Sequence, residues 1–340
     1  MVSFNAAPYL ERLKPFQKAT VEHVFGRLFD QHDPVDRYLV ADEVGLGKTM
    51  VARGLIAKMI EHYAQTEPDR RIDVLYVCSN QAIAKQNFSK LAIVGNTQDA
   101  VTDRITKLPL HVSQLEKKLP GLGMAVNFIP ITPTTSLDLR SNVGRADERA
   151  LLWVMLADER LLGRSFMRRS GPERVLRQHV SPERWSREKR ILPEEIDPTL
   201  WTAFVRDATA GSPSIVDEFR EVADLFKRER RWHDPTLRPQ RSAIVGRLRR
   251  QLSQTCISAL EPDLIILDEF QRFPRLLDVD TPVGELADLL FRQEGAKTLL
   301  LSATPYRMLT RSTELDPPGG LPQDYDVPAR PRGGGGRRNP

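Results

Sequence analysis

Residues 42–49 read D-E-V-G-L-G-K-T, and their types and spacing suit the chemistry of holding phosphate. Gly45 and Gly47 permit backbone conformations closed to other residues, so successive N–H groups can converge on phosphate oxygens. Lys48 supplies a positive charge to β and γ phosphates, and Thr49 a hydroxyl to Mg²⁺. The general phosphate loop is G-x-x-x-x-G-K-[ST]. Asp42 stands where its first Gly would be, which leaves G-x-G-K-T, and a Gly-rich turn with a surface Lys is the plain alternative. A second group of reactive side chains closes the run Asp263–Gln271, D-L-I-I-L-D-E-F-Q. Here Asp268 suits a metal-holding role and Glu269 the orienting and deprotonation of an attacking water. A third lies in Lys297–Tyr306, K-T-L-L-L-S-A-T-P-Y, where Ser302 and Thr304 offer hydroxyls that could bond back to the Asp268–Glu269 strand end.

These groups need elements that bring them together. Tyr38–Ala41 is a short apolar run leading into the glycines, and a helical pattern follows through Met59. Four consecutive aliphatics before Asp268, and another aliphatic run before Ser302, read as central parallel strands buried on both faces. Ile72–Cys78 reads as a further strand, ending at Ser79–Asn80 before a helical stretch Gln81–Leu91. Strand, helix and strand of these lengths make a right-handed βαβ unit. The fold class expected is α/β with a mostly parallel sheet, its ligand at the carboxyl ends of the strands.

Taken together, D-E-V-G-L-G-K-T, L-I-I-L-D-E-F-Q and L-S-A-T-P resemble the first motor domain of superfamily 2 helicases, nearest the Swi/Snf-type branch of DNA translocases. The D-E-F-Q-R-F form of Asp268–Phe273 is similar to large bacterial helicase-like proteins. The resemblance implies a RecA-like P-loop NTPase lobe that binds ATP and Mg²⁺ through Asp42, Glu43, Val44, Gly45, Leu46, Gly47, Lys48 and Thr49. It implies catalytic roles for Lys48, Asp268 and Glu269, metal contacts from Thr49 and Asp268, and coupling to nucleic acid through Ser302 and Thr304. It also implies an adenine contact from Gln17 in L-K-P-F-Q, whose amide can donate and accept together, and backbone contacts to nucleic acid from I-T-P-T-T-S, with Thr132, Thr134, Thr135 and Ser136 as candidates. A Thr/Pro-rich loop is the plain alternative for that last segment.

Composition sets outer bounds. The chain has 340 residues, 40% apolar and 28% charged, as in soluble globular proteins. No apolar run approaches a membrane span and no leader is evident, so a cytoplasmic protein with no membrane partner is expected. Cys78 and Cys256 are the two cysteines and make no metal-binding spacing, and the six histidines are scattered. Of the net charge of +5, four belong to Arg330, Arg332, Arg337 and Arg338 in the tail, so the rest is close to neutral. Residues 151–250 nonetheless hold 21 Lys/Arg against 15 Asp/Glu, which makes them the better candidate for a phosphate-backbone surface, solvated ion pairs being the alternative.

The stretch between Lys48 and Asp268 exceeds what a compact lobe needs. A basic helical insertion is expected at 140–255, with Ala150–Arg160, Ile215–Arg231 and Ser242–Gln251 as its helices. It holds Trp153, Trp185, Trp201 and Trp232, read as core ahead of base stacking. The lobe itself then comprises 1–139 and 256–312, and a Pro/Gly/Arg-rich tail at 313–340 is expected to be disordered. Nothing after Thr304 resembles a second lobe, which such motors use to supply an arginine finger. The expected partners are therefore nucleic acid, DNA ahead of RNA, and a second RecA-like lobe from another chain or a downstream segment. The alternative is a nucleotide-binding regulatory or interaction module without independent turnover. An arginine-rich nucleic-acid-binding protein is a distant third.

Overall fold

The computed structural model of the chain describes residues 4–29, 32–43, 45–91, 93, 104–112, 123–137, 142–269, 278 and 280–303. Val44, Phe270–Phe273, Thr304 and the whole 313–340 tail lie outside the described residues. Five strands, β1 (Arg37–Ala41), β2 (Ile72–Val77), β3 (Val126–Ile131), β4 (Leu264–Asp268) and β5 (Lys297–Ser302), form one sheet in the order β1-β5-β4-β2-β3. Every pair is parallel. This α/β architecture follows from the sequence: β2 is buried at all six positions and β4 at its four aliphatics, as a strand covered on both faces must be. Because all five strands run the same way, their carboxyl ends share one edge.

Before and between these strands lie α1 (Ala7–Leu10), α2 (Pro15–Leu28), α3 (Lys48–Thr66) and α4 (Gln81–Leu91). Pro15 opens α2, where its missing N–H has no helical partner to lose. Val21, Val24 and Leu28 of α2 and Leu55, Ile56, Met59 and Ile60 of α3 enter one core with Val40, Val74, Ile266 and Leu299 of the sheet. Gly54 sets the distance between these helices. A Cβ there would stand 2.8 Å from Val21 and 3.0 Å from Leu13, so any larger residue drives α3 off α2.

Beyond β3 comes the turn α5 (Pro133–Ser136), then a run of helices: α6 (Ala146–Leu156), α7 (Gly163–Met167), α8 (Ser170–Arg177), α9 (Pro182–Glu188), α10 (Pro198–Thr209), α11 (Ile215–Leu225), α12 (Glu229–Trp232) and α13 (Arg238–Ser258). α14 (Pro282–Phe291) joins β4 to β5. The expected helix at Ile215–Arg231 ends at Leu225, with the fully buried Phe226 as its C-cap, and the single turn α12 follows. The expected Ser242–Gln251 helix extends to 21 residues. Trp185 is buried in this helical stretch, while Trp153, Trp201 and Trp232 are half-buried. Residues up to Ala303 form one compact unit, helical stretch included. No helix among the described residues is long and apolar enough to cross a membrane.

Two buried ionic arrangements hold these layers. At the amino edge of the sheet, Asp263 accepts the Asp73 N–H (2.8 Å) and pairs with Arg70, while Asp73 pairs with Arg71 and accepts from Asn127 (2.7 Å). Inside the helices, Arg249 and Glu148 form a fully buried pair at 3.0 Å, and Thr106 donates to the same carboxylate (2.8 Å).

Candidate functional site

The loop after β1 is built by local geometry. Gly45 and Gly47 take φ of +89° and +84°, and Gly47 is the N-cap of α3. The backbone therefore reverses tightly and presents the start of a 19-residue helix to solvent, where its free N–H groups favour an anion. Glu43, Gly45 and Leu46 are exposed, and Gly47, Lys48 and Thr49 half-buried. The Lys48 ammonium folds onto its own loop, donating to the carbonyls of Asp42 (2.7 Å) and Glu43 (2.9 Å). Those are neutral acceptors, which an arriving phosphate would outcompete as a charged one.

Gln17 braces this loop from α2. Its Oε1 accepts the Lys14 N–H (3.0 Å) and its Nε2 donates to the Leu46 carbonyl (2.8 Å). The amide expected to meet a base is thus buried and engaged with backbone on both sides. A Cβ on Gly47 would lie 2.4 Å from Gln17 Nε2, so Gly47 is needed both for its left-handed φ and for this close approach.

The β4 terminus stands two strands away, with β5 between. The Leu301 carbonyl accepts the Glu269 N–H (3.0 Å), and the next carbonyl, Ser302, accepts the Asp42 N–H (3.2 Å). Two successive carbonyls at the end of β5 therefore hold both the phosphate-type loop and the acidic pair, about 10 Å apart by ordinary strand spacing. Glu269 sits at φ +51°, a conformation non-glycine residues adopt at a cost and that concentrates at functional sites. Asp268, half-buried, accepts from the Tyr76 hydroxyl and, at 3.4 Å, from Asn87 Nδ2, which donates to the Tyr76 oxygen at 2.7 Å. Burial and the adjacent Asp268 carboxylate raise the Tyr76 phenol well above its ordinary value, so it stays a proton donor. Cys78 follows β2 nearby, and burial pushes its thiol up to about 11.

Sequence reasoning identified Asp42, Glu43, Gly45, Leu46, Gly47, Lys48, Thr49, Asp268, Glu269 and Ser302, and all of these are described residues on the carboxyl edge or the loop beside it. It missed Tyr76 and Asn87. Tyr76 looks like one more apolar residue of a buried strand, and the only signal is a hydroxyl near the strand's carboxyl end. Asn87 is an Asn inside a helix, a position that residue does not favour. Thr132 and Ser136 need correction as nucleic-acid contacts: both are buried, and the Ser136 hydroxyl accepts the Thr132 N–H (3.1 Å) to close the α5 turn. The side chains of Thr134 and Thr135 lie outside the described residues.

Thr49 and Asp268 are the groups that could hold Mg²⁺. One hydroxyl and one carboxylate suit an ion that keeps several waters and takes its remaining ligands from phosphate. No cluster of three or more His, Cys, Asp or Glu side chains that could hold a metal exists among the described residues. Comparisons with protein-family models, curated proteins and solved structures find no match for this chain.

Proposed function

We propose that the chain is a RecA-like P-loop lobe that binds Mg-ATP and serves as the first motor domain of an ATP-dependent helicase or DNA translocase. The observation that carries this reading is the pair of adjacent β5 carbonyls, Leu301 and Ser302, which tie the Gly45–Gly47–Lys48 loop and the Asp268–Glu269 strand end to one edge of the sheet. That edge is where α/β sheets take their ligands.

In this reading the loop N–H groups and the α3 N-terminus receive the phosphates, and Lys48 exchanges the carbonyls of Asp42 and Glu43 for phosphate oxygens. Thr49 and Asp268 would hold Mg²⁺, which when bound neutralises phosphate charge. Tyr76 and Asn87 keep the Asp268 carboxylate pointed. Glu269, held off the end of β4, orients the attacking water and takes its proton. Ser302 carries the state of this edge to nucleic acid. Full turnover calls for an arginine from a second lobe, in another chain or segment.

The test is ATP binding and steady-state hydrolysis by the purified chain, with and without duplex DNA, beside Lys48→Ala and Glu269→Gln. The reading expects binding that Lys48→Ala abolishes and Glu269→Gln retains, with slow turnover. Binding without any turnover, even with DNA and a candidate second lobe, would favour a regulatory nucleotide-binding module. No ATP binding by the wild-type chain would end the assignment.

A further inference from the structure

Three arginines are buried in the helical stretch, and two are fully compensated. Arg249 is paired with Glu148. Arg149, pushed down to about 10 by burial, donates to the carbonyls of Leu176 (2.6 Å), Val143 (3.0 Å), Gly144 (2.8 Å) and Arg177 (3.4 Å). Arg241, in the opening turn of α13, has neither kind of partner. It is 2% exposed, and its Nε and Nη1 are buried without any hydrogen bond. Among the described residues no carboxylate lies within ion-pair distance of it, and the nearby charge that acts on it is Arg238, which with burial lowers its pKa.

The surroundings add cations instead of cancelling one. Arg241 Cζ lies 4.3 Å from the Trp232 ring centroid and 5.5 Å from that of Phe226. Arg177 Cζ lies 5.5 Å from the same Trp232 ring, and its Nε is also buried and unpartnered. The His179 ring stands 6.1 Å from Trp232, with its pKa lowered by burial and by Arg241, Arg238 and Arg149. α13 has no acidic residue in its first turn and no side-chain cap, so its positive end faces the same cluster. From solvent inward, exposed Arg238 and His179 lead to half-buried Arg177 and Trp232 and then to buried Arg241. Stacking on two aromatic rings offsets only part of the cost of burying an unpaired guanidinium.

We propose that Arg241 and Arg177, gathered around Trp232, together with Arg238 one turn before Arg241 on α13, form a binding site for a phosphate group, supplied either by a nucleic-acid backbone or by free phosphate. The guanidinium donors at Arg241 Nε and Nη1 and Arg177 Nε are the hydrogen bonds such an anion completes. The site does not depend on the Lys48 loop, and it draws on the motor reading only for the nucleic-acid source.

Thermal denaturation in sodium phosphate against sodium chloride, at matched pH and ionic strength, tests the anion. Anisotropy of a labelled 20-nucleotide DNA, single-stranded and duplex, across a salt series tests the source. Wild type is expected to gain more from phosphate than Arg241→Met does, and Arg241→Met to melt higher than wild type in chloride. Arg177→Gln serves as a second variant that leaves the core guanidinium in place and is expected to halve the phosphate gain. If DNA is the source, each lost cation lowers the slope of log affinity against log salt by about 1; an unchanged slope with the phosphate gain lost identifies free phosphate. The same comparisons are repeated in the Lys48→Ala background, where any phosphate taken by the loop after β1 is lost and the difference made by Arg241→Met should persist, so a failed ATP assignment leaves this result readable. Equal phosphate gains and equal DNA binding in wild type and both Arg variants would overturn the site.

Discussion

The phenol of Tyr76 donates a hydrogen bond to the carboxylate of Asp268, and Asn87 donates in turn to the phenol oxygen at 2.7 Å. Three elements, β2, β4 and α4, thus fix one acid whose neighbour Glu269 is held in a left-handed conformation. A carboxylate steered in this way is prepared to meet a cation. Tyr76→Phe removes the donor while keeping the ring packed. If Asp268 holds Mg²⁺, the variant should need a 10- to 100-fold higher Mg²⁺ concentration for half-maximal ATP turnover, the usual cost of losing an outer partner of a metal ligand. An Mg²⁺ titration checks this, and an unchanged midpoint would reduce the Tyr76 contact to a packing detail.

Gly47 carries two constraints at once. An Ala there would adopt a left-handed conformation at a cost of about 1–2 kcal/mol, and its Cβ would displace Gln17 Nε2 from the Leu46 carbonyl. Gly47→Ala should therefore lower stability and abolish nucleotide binding together. Gly26, in α2 with open space around the Cβ position, is the control: Gly26→Ala should raise stability by about 0.4–1 kcal/mol and leave binding unchanged. Urea denaturation and ATP titration of the two variants separate the cases.

The contrast between what the sequence disclosed and what it hid follows the range of the interactions. The strand ends at Asp268 and Ser302 were legible because a strand covered on both faces must be a run of aliphatics, and the polar residue that stops the run marks the sheet edge. The loop glycines were legible because few residues tolerate their φ. The Tyr76–Asp268 contact joins residues far apart in the chain, and no local pattern records it. α13 extends past both expected ends, from Arg238 to Ser258, and Arg241 and Arg249, polar in any hydropathy pattern, are buried along it. The I-T-P-T-T-S segment was expected, from the resemblance, to contact a nucleic-acid backbone, with a Thr/Pro-rich loop as the alternative, yet Thr132 and Ser136 are buried and close a turn by bonding each other.

The amino edge of the sheet carries its own pH signature. Burial raises the carboxyl pKa of both Asp73 and Asp263 above the ordinary 3.8, against the lowering effect of Arg71 on the first and of the Asp73 N–H and Arg70 on the second. A group with a raised folded pKa contributes stability that is full below the unfolded value and lost as pH climbs through the folded one. The affected window thus opens near pH 3.8 and extends upward. Asp263→Asn removes that titration, so the stability lost on substitution should be larger at pH 4 than at pH 7. Urea midpoints of both proteins at the two pH values give the difference; a larger cost at pH 7 would mean that Arg70 outweighs burial.

The pair of Glu148 and Arg249 is the arrangement whose removal should cost most. Both side chains are 1% exposed, and Glu148 also receives the Thr106 hydroxyl and the Arg145 N–H (2.7 Å). Glu148→Gln keeps the shape but takes the carboxylate charge away from a buried guanidinium, so a loss of about 3–5 kcal/mol is expected. Arg249 also fills the space above Gly144, where a Cβ would meet its Nε at 2.1 Å, so truncating it would open a cavity beside that turn. The double variant Glu148→Gln with Arg249→Met removes the stranded charge while retaining most of the volume, and it should be more stable than Glu148→Gln alone. Chemical denaturation of the single and double variants decides this. A double variant no better than the single would show that Glu148 contributes through Thr106 and the Arg145 N–H, and that the ion pair itself is close to neutral.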